Sequence, residues 1–259
     1  MTFVTLTTDW GNSSFYAGAV KGTLLRMIPG VTIVEISHQI PSFNILHASF
    51  VLRNAYPHFP EGSIHIIGVN TEAGLQSPHI AAKHHGHYFI GADNGIFSLL
   101  FDNSALDAVE LDLMQDSDYF TFSTRDVFSK AASLIVANGS MQPLGKSYNQ
   151  FKELVHIKAA TYENQIIGNV VFIDDYQNVF LNIDKSIFFK TAKGRSFKIN
   201  LRLKEPHIAK ISQAYGDVPE GELVILFGST GFLELAINKG KAASLLGLHV
   251  NDTVSIEFY

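Results

Sequence analysis

Phe3-Val4-Thr5-Leu6-Thr7 runs into Thr8-Asp9-Trp10-Gly11-Asn12-Ser13-Ser14 and then into Tyr16, Ala19, Val20, Thr23, Leu24 and Met27. The first run is β-rich, the second is a cluster of turn and cap residues, and the third repeats near 3.6 residues. That order predicts a strand, a loop and a helix from about Phe15 to Met27, with Ser13 or Ser14 as the cap. Ile28-Pro29-Gly30 stops the helix. The pattern then repeats, with a β-branched strand at Val31–Ile36 and a loop at Ile40-Pro41-Ser42-Phe43. Ile45, Ala48, Leu52 and Ala55 share one face of a second helix, Asn44–Tyr56, which ends before Pro57. Ser63–Val69 is a buried strand followed by a loop at Asn70–Pro78. Tyr88–Gly91 and Gly95–Phe101 frame a turn at Ala92-Asp93-Asn94, and Arg125–Asn138 is another amphipathic helix. Apolar strands alternating with helices imply an α/β domain, its largely parallel sheet covered by helices on both faces.

After residues 139–148, rich in Gly, Pro, Ser and Asn, the texture changes to short strands: Gly168–Ile173, Val179–Ile183, Ser196–Leu201, Leu223–Phe227 and Thr253–Phe258. Only Ala242–Leu246 suggests a helical turn there. The expected organisation is an α/β domain over 1–150 and a smaller all-β domain over 151–259.

Composition narrows the function classes. The absence of Cys removes disulfides, thiolate metal sites, iron–sulfur clusters and a cysteine nucleophile together. Lys plus Arg is 19 against 24 Asp plus Glu, so no basic excess exists to hold a nucleic-acid backbone. The apolar runs are too short to span a bilayer, and no basic segment opens the chain, so no membrane association is expected and a cytoplasmic protein is.

In open α/β sheets, ligands collect beyond the carboxyl ends of the strands. Asp9 follows a strand directly and offers a carboxylate to a ribose diol, the plainer alternative being a turn or cap aspartate. Phe43 offers a stacking wall, the plainer alternative being a core anchor. His79, His84, His85 and His87 lie within nine residues without a carboxylate at ligand spacing, which favours a solvated edge over a metal site. Asp174-Asp175-Tyr176-Gln177-Asn178 puts carboxylate, ring and amide in one hairpin turn. Gly228-Ser229-Thr230-Gly231 is a turn able to cradle an anion with its N–H groups.

Taken in order, several segments resemble the S-adenosylmethionine hydroxide adenosyltransferase family, which includes S-adenosylmethionine hydrolases and their fluorinase and chlorinase relatives. They are Thr8-Asp9-Trp10-Gly11, His38-Gln39-Ile40-Pro41-Ser42-Phe43-Asn44, Ala55–Gly62, Gly91-Ala92-Asp93-Asn94-Gly95, Arg125-Asp126-Val127-Phe128, Ile173–Asn178 and Gly228–Gly240. The resemblance implies a homotrimer, with a small nucleoside ligand between the N-terminal domain of one subunit and the C-terminal domain of the next. It implies Asp9 on the ribose hydroxyls, Phe43 along the adenosyl pocket, and Phe122 and Thr124 beside the reacting carbon. It further implies Asp174 on the methionine ammonium, Tyr176 and Asn178 on the adenine, and Ser229 on the methionine carboxylate. No cofactor is implied; S-adenosylmethionine is substrate or ligand.

The departures from the family pattern carry chemical weight. The hydrolases share a strand-end motif Asp-Pro-Gly-Val-Gly followed by Arg, and a Phe-His-Gly-Arg-Asp motif. Here these stand as Asn70-Thr71-Glu72-Ala73-Gly74 with Ser77, and as Phe122-Ser123-Thr124-Arg125-Asp126. The family's hydrolytic Asp, Arg and His thus correspond to Asn70, Ser77 and Ser123, and two further aspartates to Ser14 and Asn44. None of the three replacements is a useful base, and general-base assistance is worth about 10²–10⁴-fold. Three expectations remain open: cleavage with a base from elsewhere (Glu72 or His79), attack by a halide that needs no deprotonation, or adenosyl-nucleoside binding without turnover. S-adenosylmethionine cleavage to adenosine and methionine is the leading one.

Overall fold

The opening apolar run forms β1 (Phe3–Thr8), which pairs in parallel on both sides, with β2 (Thr32–Ser37) and β3 (Ile64–Gly68). In this computed structural model, residues 75, 103–105, 116–117 and 202–206 lie outside the described set, and 207–209 are described by backbone alone. The chain divides into two units, Met1–Val155 and His156–Tyr259.

In the first unit, α1 (Tyr16–Met27) and α2 (Ile45–Ala55) follow the first two strands, and β3 leads to the hairpin of β4 (His79–His84) and β5 (His87–Ala92). Then come α3 (Ile96–Phe101), β6 (Asp107–Leu111), a π-helical turn at Thr124–Phe128 running into α4 (Ser129–Asn138), and β7 (Gly145–Ser147). The sheet order is β2-β1-β3-β5-β4-β6-β7. Its first four strands are parallel, whereas β4, β6 and β7 join antiparallel, so the sheet is mixed where the sequence suggested a largely parallel one. The two-residue turn at His85-Gly86 forces that reversal, since a parallel return needs a long crossover. Gly95–Phe101, expected only to flank a turn with Tyr88–Gly91, contains the helix α3, with every residue from Ile96 to Phe101 buried.

Alternate side chains of each strand feed two cores. Val4, Leu6, Ile64, Ile66 and Ile90 pack with Val20, Leu24, Phe128 and Ile135 of α1, the π-turn and α4. Ile67, Ile80 and Phe89 pack with Ala48, Leu52, Phe97 and Leu100 of α2 and α3. Both faces are therefore covered, which explains the near-continuous apolar strands. Neither Ser13 nor Ser14 caps α1: its N-cap is Phe15 without a side-chain bond, and the Ser14 hydroxyl donates to the Trp10 carbonyl at 3.2 Å. Asn44 does cap α2, accepting from the His47 N–H at 2.9 Å.

The second unit runs β8 (Ala160–Thr161), β9 (Gln165–Ile173), β10 (Val179–Asp184), α5 (Lys185–Ala192), β11 (Phe197–Asn200), β12 (His207–Ala209), β13 (Ile211–Ser212), β14 (Leu223–Phe227), β15 (Phe232–Ile237), α6 (Ala242–Leu246) and β16 (Thr253–Phe258). Its strands pair in the order β12-β11-β16-β9-β10-β15-β14-β13, mostly antiparallel. The eight-residue α5 departs from the all-β expectation. Asp184 caps it, accepting from the Ile187 N–H at 2.8 Å, and Phe188 plugs the core. Among the described residues no helix is long and apolar enough to cross a membrane.

Candidate functional site

Parallel pairing brings the carboxyl ends of β1, β2, β3 and β5 to one edge of the first unit's sheet. Glycine sets the closeness there: a Cβ on Gly68, the last residue of β3, would lie 2.8 Å from Thr8 Cγ2 and 2.9 Å from Trp10 Cζ2. The loops after β1 and β2 are stitched together, Gly11 N–H donating to the His38 carbonyl at 2.7 Å and Ile40 N–H to the Thr8 carbonyl at 3.3 Å.

Within that pair of loops, Asp9 Oδ2 accepts the backbone N–H of Phe43 at 2.8 Å. Phe43 is held at φ +64°, a left-handed conformation that is an outlier for a bulky residue, and the residue is 71% exposed. The core-anchor alternative for Phe43 is therefore excluded. An exposed ring on a strained backbone is characteristic of a recognition surface. Beneath them the buried His38 meets Thr8 Oγ1 through Nδ1 at 2.6 Å and stacks on Trp10 at 5.9 Å. Burial holds the His38 imidazole below its ordinary pKa, against the opposing pull of Glu35.

Phe122 joins this corner, its ring 5.8 Å from Trp10 and 5.2 Å from Tyr16. Ser123 is buried, and Thr124 opens the π-helical turn with its Oγ1 buried and without a hydrogen-bond partner among the described residues. Single π-turns within helices are frequent at functional sites. Arg125 is engaged by its neighbour, donating to both Asp126 oxygens at 2.5 and 2.7 Å.

Asn70 and Ser77 share a cavity of about 520 Å³ with Glu72, Ala73, Gly74, Gln76 and Asn94. Ser123 is not among its lining residues, so two of the three sequence-predicted replacement positions converge there and the third does not. Leu75 of that loop lies outside the described residues. The cavity is also lined by Asn94, a buried residue the sequence offered only as part of a turn. Its Nδ2 donates to the carbonyls of Val69 (3.1 Å) and Asn70 (2.9 Å), and its Oδ1 accepts from Ile96 N–H at 3.2 Å. The signal was present in Asn94-Gly95: Gly95 sits at φ +104°, and a Cβ there would strike Leu154 at 2.4 Å.

The His-rich stretch separates in space. His79 is at the start of β4 with its ring nearly perpendicular to that of Phe128, centroids 4.8 Å apart, while His87 is buried beside His65. Among the described residues no group of three or more His, Asp or Glu is placed to hold a metal.

In the second unit, Asp174 accepts from both the backbone N–H (2.8 Å) and the Nδ2 (3.1 Å) of Asn178, closing the turn that leaves Tyr176 78% exposed. Ser229 is exposed in the turn between β14 and β15. A group the sequence did not single out lies behind that turn. Glu234 is 1% exposed, its Oε1 accepts from the Tyr215 hydroxyl at 2.7 Å, and its Oε2 would lie 2.6 Å from a Cβ on Gly228. Burial pushes the Glu234 carboxyl up, the Tyr215 bond opposes this, and the charge of Asp174 adds to the rise.

Two family descriptions match the chain: the SAM hydroxide adenosyltransferase N-terminal domain over residues 4–145 and the corresponding C-terminal domain over 168–255. An (R)-S-adenosyl-L-methionine hydrolase of Methanocaldococcus jannaschii is 28% identical, covering 98% of this chain and 95% of that protein. The hydrolase of Salinispora tropica is 26% identical, covering 98% and 97%. A fluorinase of Nocardia brasiliensis is 21% identical, covering 96% and 94%. Among solved structures, an uncharacterized conserved protein from Thermotoga maritima superposes with a TM-score of 0.89 at 28% identity, covering 99% of both chains. A conserved hypothetical protein from Thermus thermophilus gives 0.76 at 26%, covering both chains completely.

Proposed function

The chain belongs to the SAM hydroxide adenosyltransferase family, and from that membership we propose that it binds S-adenosylmethionine and cleaves it with water to adenosine and methionine. The observation that carries the reading is the Asp9–Phe43 hydrogen bond. It joins a strand-end carboxylate, suited to a ribose diol, to an exposed ring suited to an apolar or aromatic ligand face.

The reaction is an in-line displacement at the ribose C5′. A water oxygen forms the C–O bond as the C5′–S bond breaks, and the electron pair leaves on sulfur as the neutral thioether of methionine. The leaving group needs no general acid, so the protein's work is to position the nucleophile, exclude bulk solvent and accept one proton. In the proposal Phe122 and Thr124 border the reacting carbon, Asp174 meets the methionine ammonium, Tyr176 and Asn178 the adenine, and Ser229 the methionine carboxylate. A homotrimer and a cytoplasmic location belong to the same proposal.

A halide nucleophile is the weaker alternative. The carboxylate of Glu72 lines the cavity with Asn70 and Ser77, and a carboxylate there repels an anion while attracting a sulfonium. Incubation with S-adenosylmethionine, with and without halide, followed by chromatography, separates the readings. Adenosine plus methionine supports hydrolysis, a 5′-halo-adenosine supports halide transfer, and intact substrate alongside a calorimetric binding signal supports a binder without turnover. No heat with S-adenosylmethionine or adenosine defeats the ligand class itself.

A further inference from the structure

We infer that Glu72 is the proton acceptor for the attacking water, with His79 as its positioning residue; this rests on the hydrolytic reading above. Glu72 is the one ionisable side chain among the described residues lining the Asn70–Ser77 cavity, the others being amides, a hydroxyl, Ala and Gly. None of those takes a proton usefully near neutral pH.

The backbone around Glu72 is anchored on both sides. Upstream, Asn70 sits at φ +49° and its carbonyl is held by Asn94 Nδ2. The next carbonyl, that of Thr71, accepts a hydrogen bond from His79 Nε2 at 2.9 Å. Downstream, Gly74 and Ser77 exchange N–H and carbonyl groups at 3.3 and 3.0 Å. The peptide preceding Glu72 is thus fixed by an imidazole from β4, and the segment following it by a tight bridge, while the Glu72 side chain stays exposed to the cavity.

The imidazole is itself fixed. A carbonyl only accepts, so Nε2 carries the proton, and the ring stands nearly perpendicular to that of Phe128. Burial holds His79 below its ordinary pKa and so keeps it neutral, a donor to Thr71 rather than a charge beside the cavity.

In the step assigned to it, Glu72 takes one water proton as the water oxygen bonds to C5′ and sulfur departs with the C5′–S electron pair. The proton then passes to solvent, so one S-adenosylmethionine cation and one water give adenosine, methionine and a proton.

The test compares the full-length wild type with Glu72→Gln, His79→Gln and His79→Leu, measuring S-adenosylmethionine binding by calorimetry and cleavage by chromatography across pH, with folding checked by thermal melting. Glu72→Gln is expected to lower kcat by about 10²-fold or more, to leave binding within a few-fold, and to lose the acid limb of the pH profile. His79→Gln, which keeps an N–H for the Thr71 carbonyl, is expected to hold kcat within a few-fold. His79→Leu is expected to lower it about tenfold without changing the shape of the profile. A Glu72→Gln protein that turns over within threefold of wild type with an unchanged profile overturns the inference and leaves the hydrolytic reading standing. A wild type that binds S-adenosylmethionine and never cleaves it overturns both. Equal rates for His79→Leu and wild type remove the positioning role.

Discussion

Asp9 and Phe43, 34 positions apart, are joined by a single 2.8 Å hydrogen bond from the backbone N–H of the aromatic to the carboxylate of the acid. The bond does two things. It holds a bulky residue at φ +64°, and it engages Oδ2 of the Asp9 carboxylate, so that Oδ1 is the oxygen for the proposed ribose contact. Replacement of Asp9 separates those roles. Asp9→Asn keeps an acceptor for Phe43 but loses charge, whereas Asp9→Ala loses both. Asp9→Ala is expected to cost about 1 kcal/mol of stability and to weaken adenosine binding tenfold or more, with Asp9→Asn intermediate in both. Thermal melting and calorimetry measure the two effects. Identical behaviour of both variants to wild type would remove Asp9 from the site.

Phe43→Gly makes a prediction of opposed signs. Glycine reaches positive φ without steric cost, so the strain of about 1–2 kcal/mol is relieved in the folded chain, although glycine's greater freedom when unfolded offsets part of this. The variant should therefore be no less stable than wild type. The stacking wall is lost at the same time, so affinity for adenosine should fall by about 1–3 kcal/mol, roughly 5–150-fold. A stable variant with unchanged affinity would place the ring outside the pocket.

Much of the architecture is legible in the sequence because its physics is local. The 3.6-residue spacing of Ile45, Ala48, Leu52 and Ala55 locates α2, whose observed bounds Ile45–Ala55 fall one residue inside the expected ones at each end. What is not legible depends on tertiary context. Ile96–Phe101 is apolar on nearly every side, so no period distinguishes a buried strand from a helix enclosed all round, and the stretch read only as one flank of a turn is α3. The hairpin reversal at His85-Gly86 turns β4 antiparallel, which alternation of strands and helices does not announce. Asp9 and Phe43 each stand out in their own loop, but their hydrogen bond is not foreseeable, because it joins loops that only the sheet aligns. Glu234 reads like any strand glutamate. Its burial follows from pairing with Phe180 on one side and Leu226 on the other.

Restoration tests the positional correspondence with the hydrolases. Asn70→Asp, Ser77→Arg and Ser123→His together reinstate the carboxylate, guanidinium and imidazole of the family pattern. Asp tolerates the left-handed backbone at position 70 nearly as well as Asn, so that change is mild. Ser123 is 7% exposed, so the imidazole there must displace neighbours, and the Asn70→Asp/Ser77→Arg double variant is the control for packing damage. At about pH 7 the triple variant is expected to hydrolyse S-adenosylmethionine at least roughly tenfold faster than wild type. A triple variant that folds, binds and stays inert refutes the correspondence.

The last prediction concerns acid stability and a buried chain of three polar groups away from the candidate site. Thr5 Oγ1 meets His65 Nδ1 at 2.7 Å, and His65 Nε2 meets His87 Nδ1 at 3.1 Å, all within the core under Tyr56 and Phe89. Burial, reinforced by the charge His87 would carry, lowers His65 to about 3, and burial lowers His87 in the same direction. The unfolded chain titrates His65 near its ordinary value of 6.5, so between 6.5 and about 3 the unfolded state binds the extra proton. Stability is therefore fully present above pH 6.5 and falls as the pH drops toward 3. The loss is on the order of a few kcal/mol, because each pH unit separating the folded and unfolded titrations is worth about 1.4 kcal/mol. His65→Gln retains an amide at the reach of Nε2 to meet His87 but cannot titrate, so its urea-unfolding free energy should change less between about pH 7.5 and about pH 4.5 than that of wild type. Near the upper end of that range the variant should be the less stable of the two, because it loses the ring stacked on Phe89 and the contact to Thr5. Parallel pH dependences for the two proteins would mean that His65 is not the proton-linked group, and that the loss of stability in acid arises elsewhere in the chain.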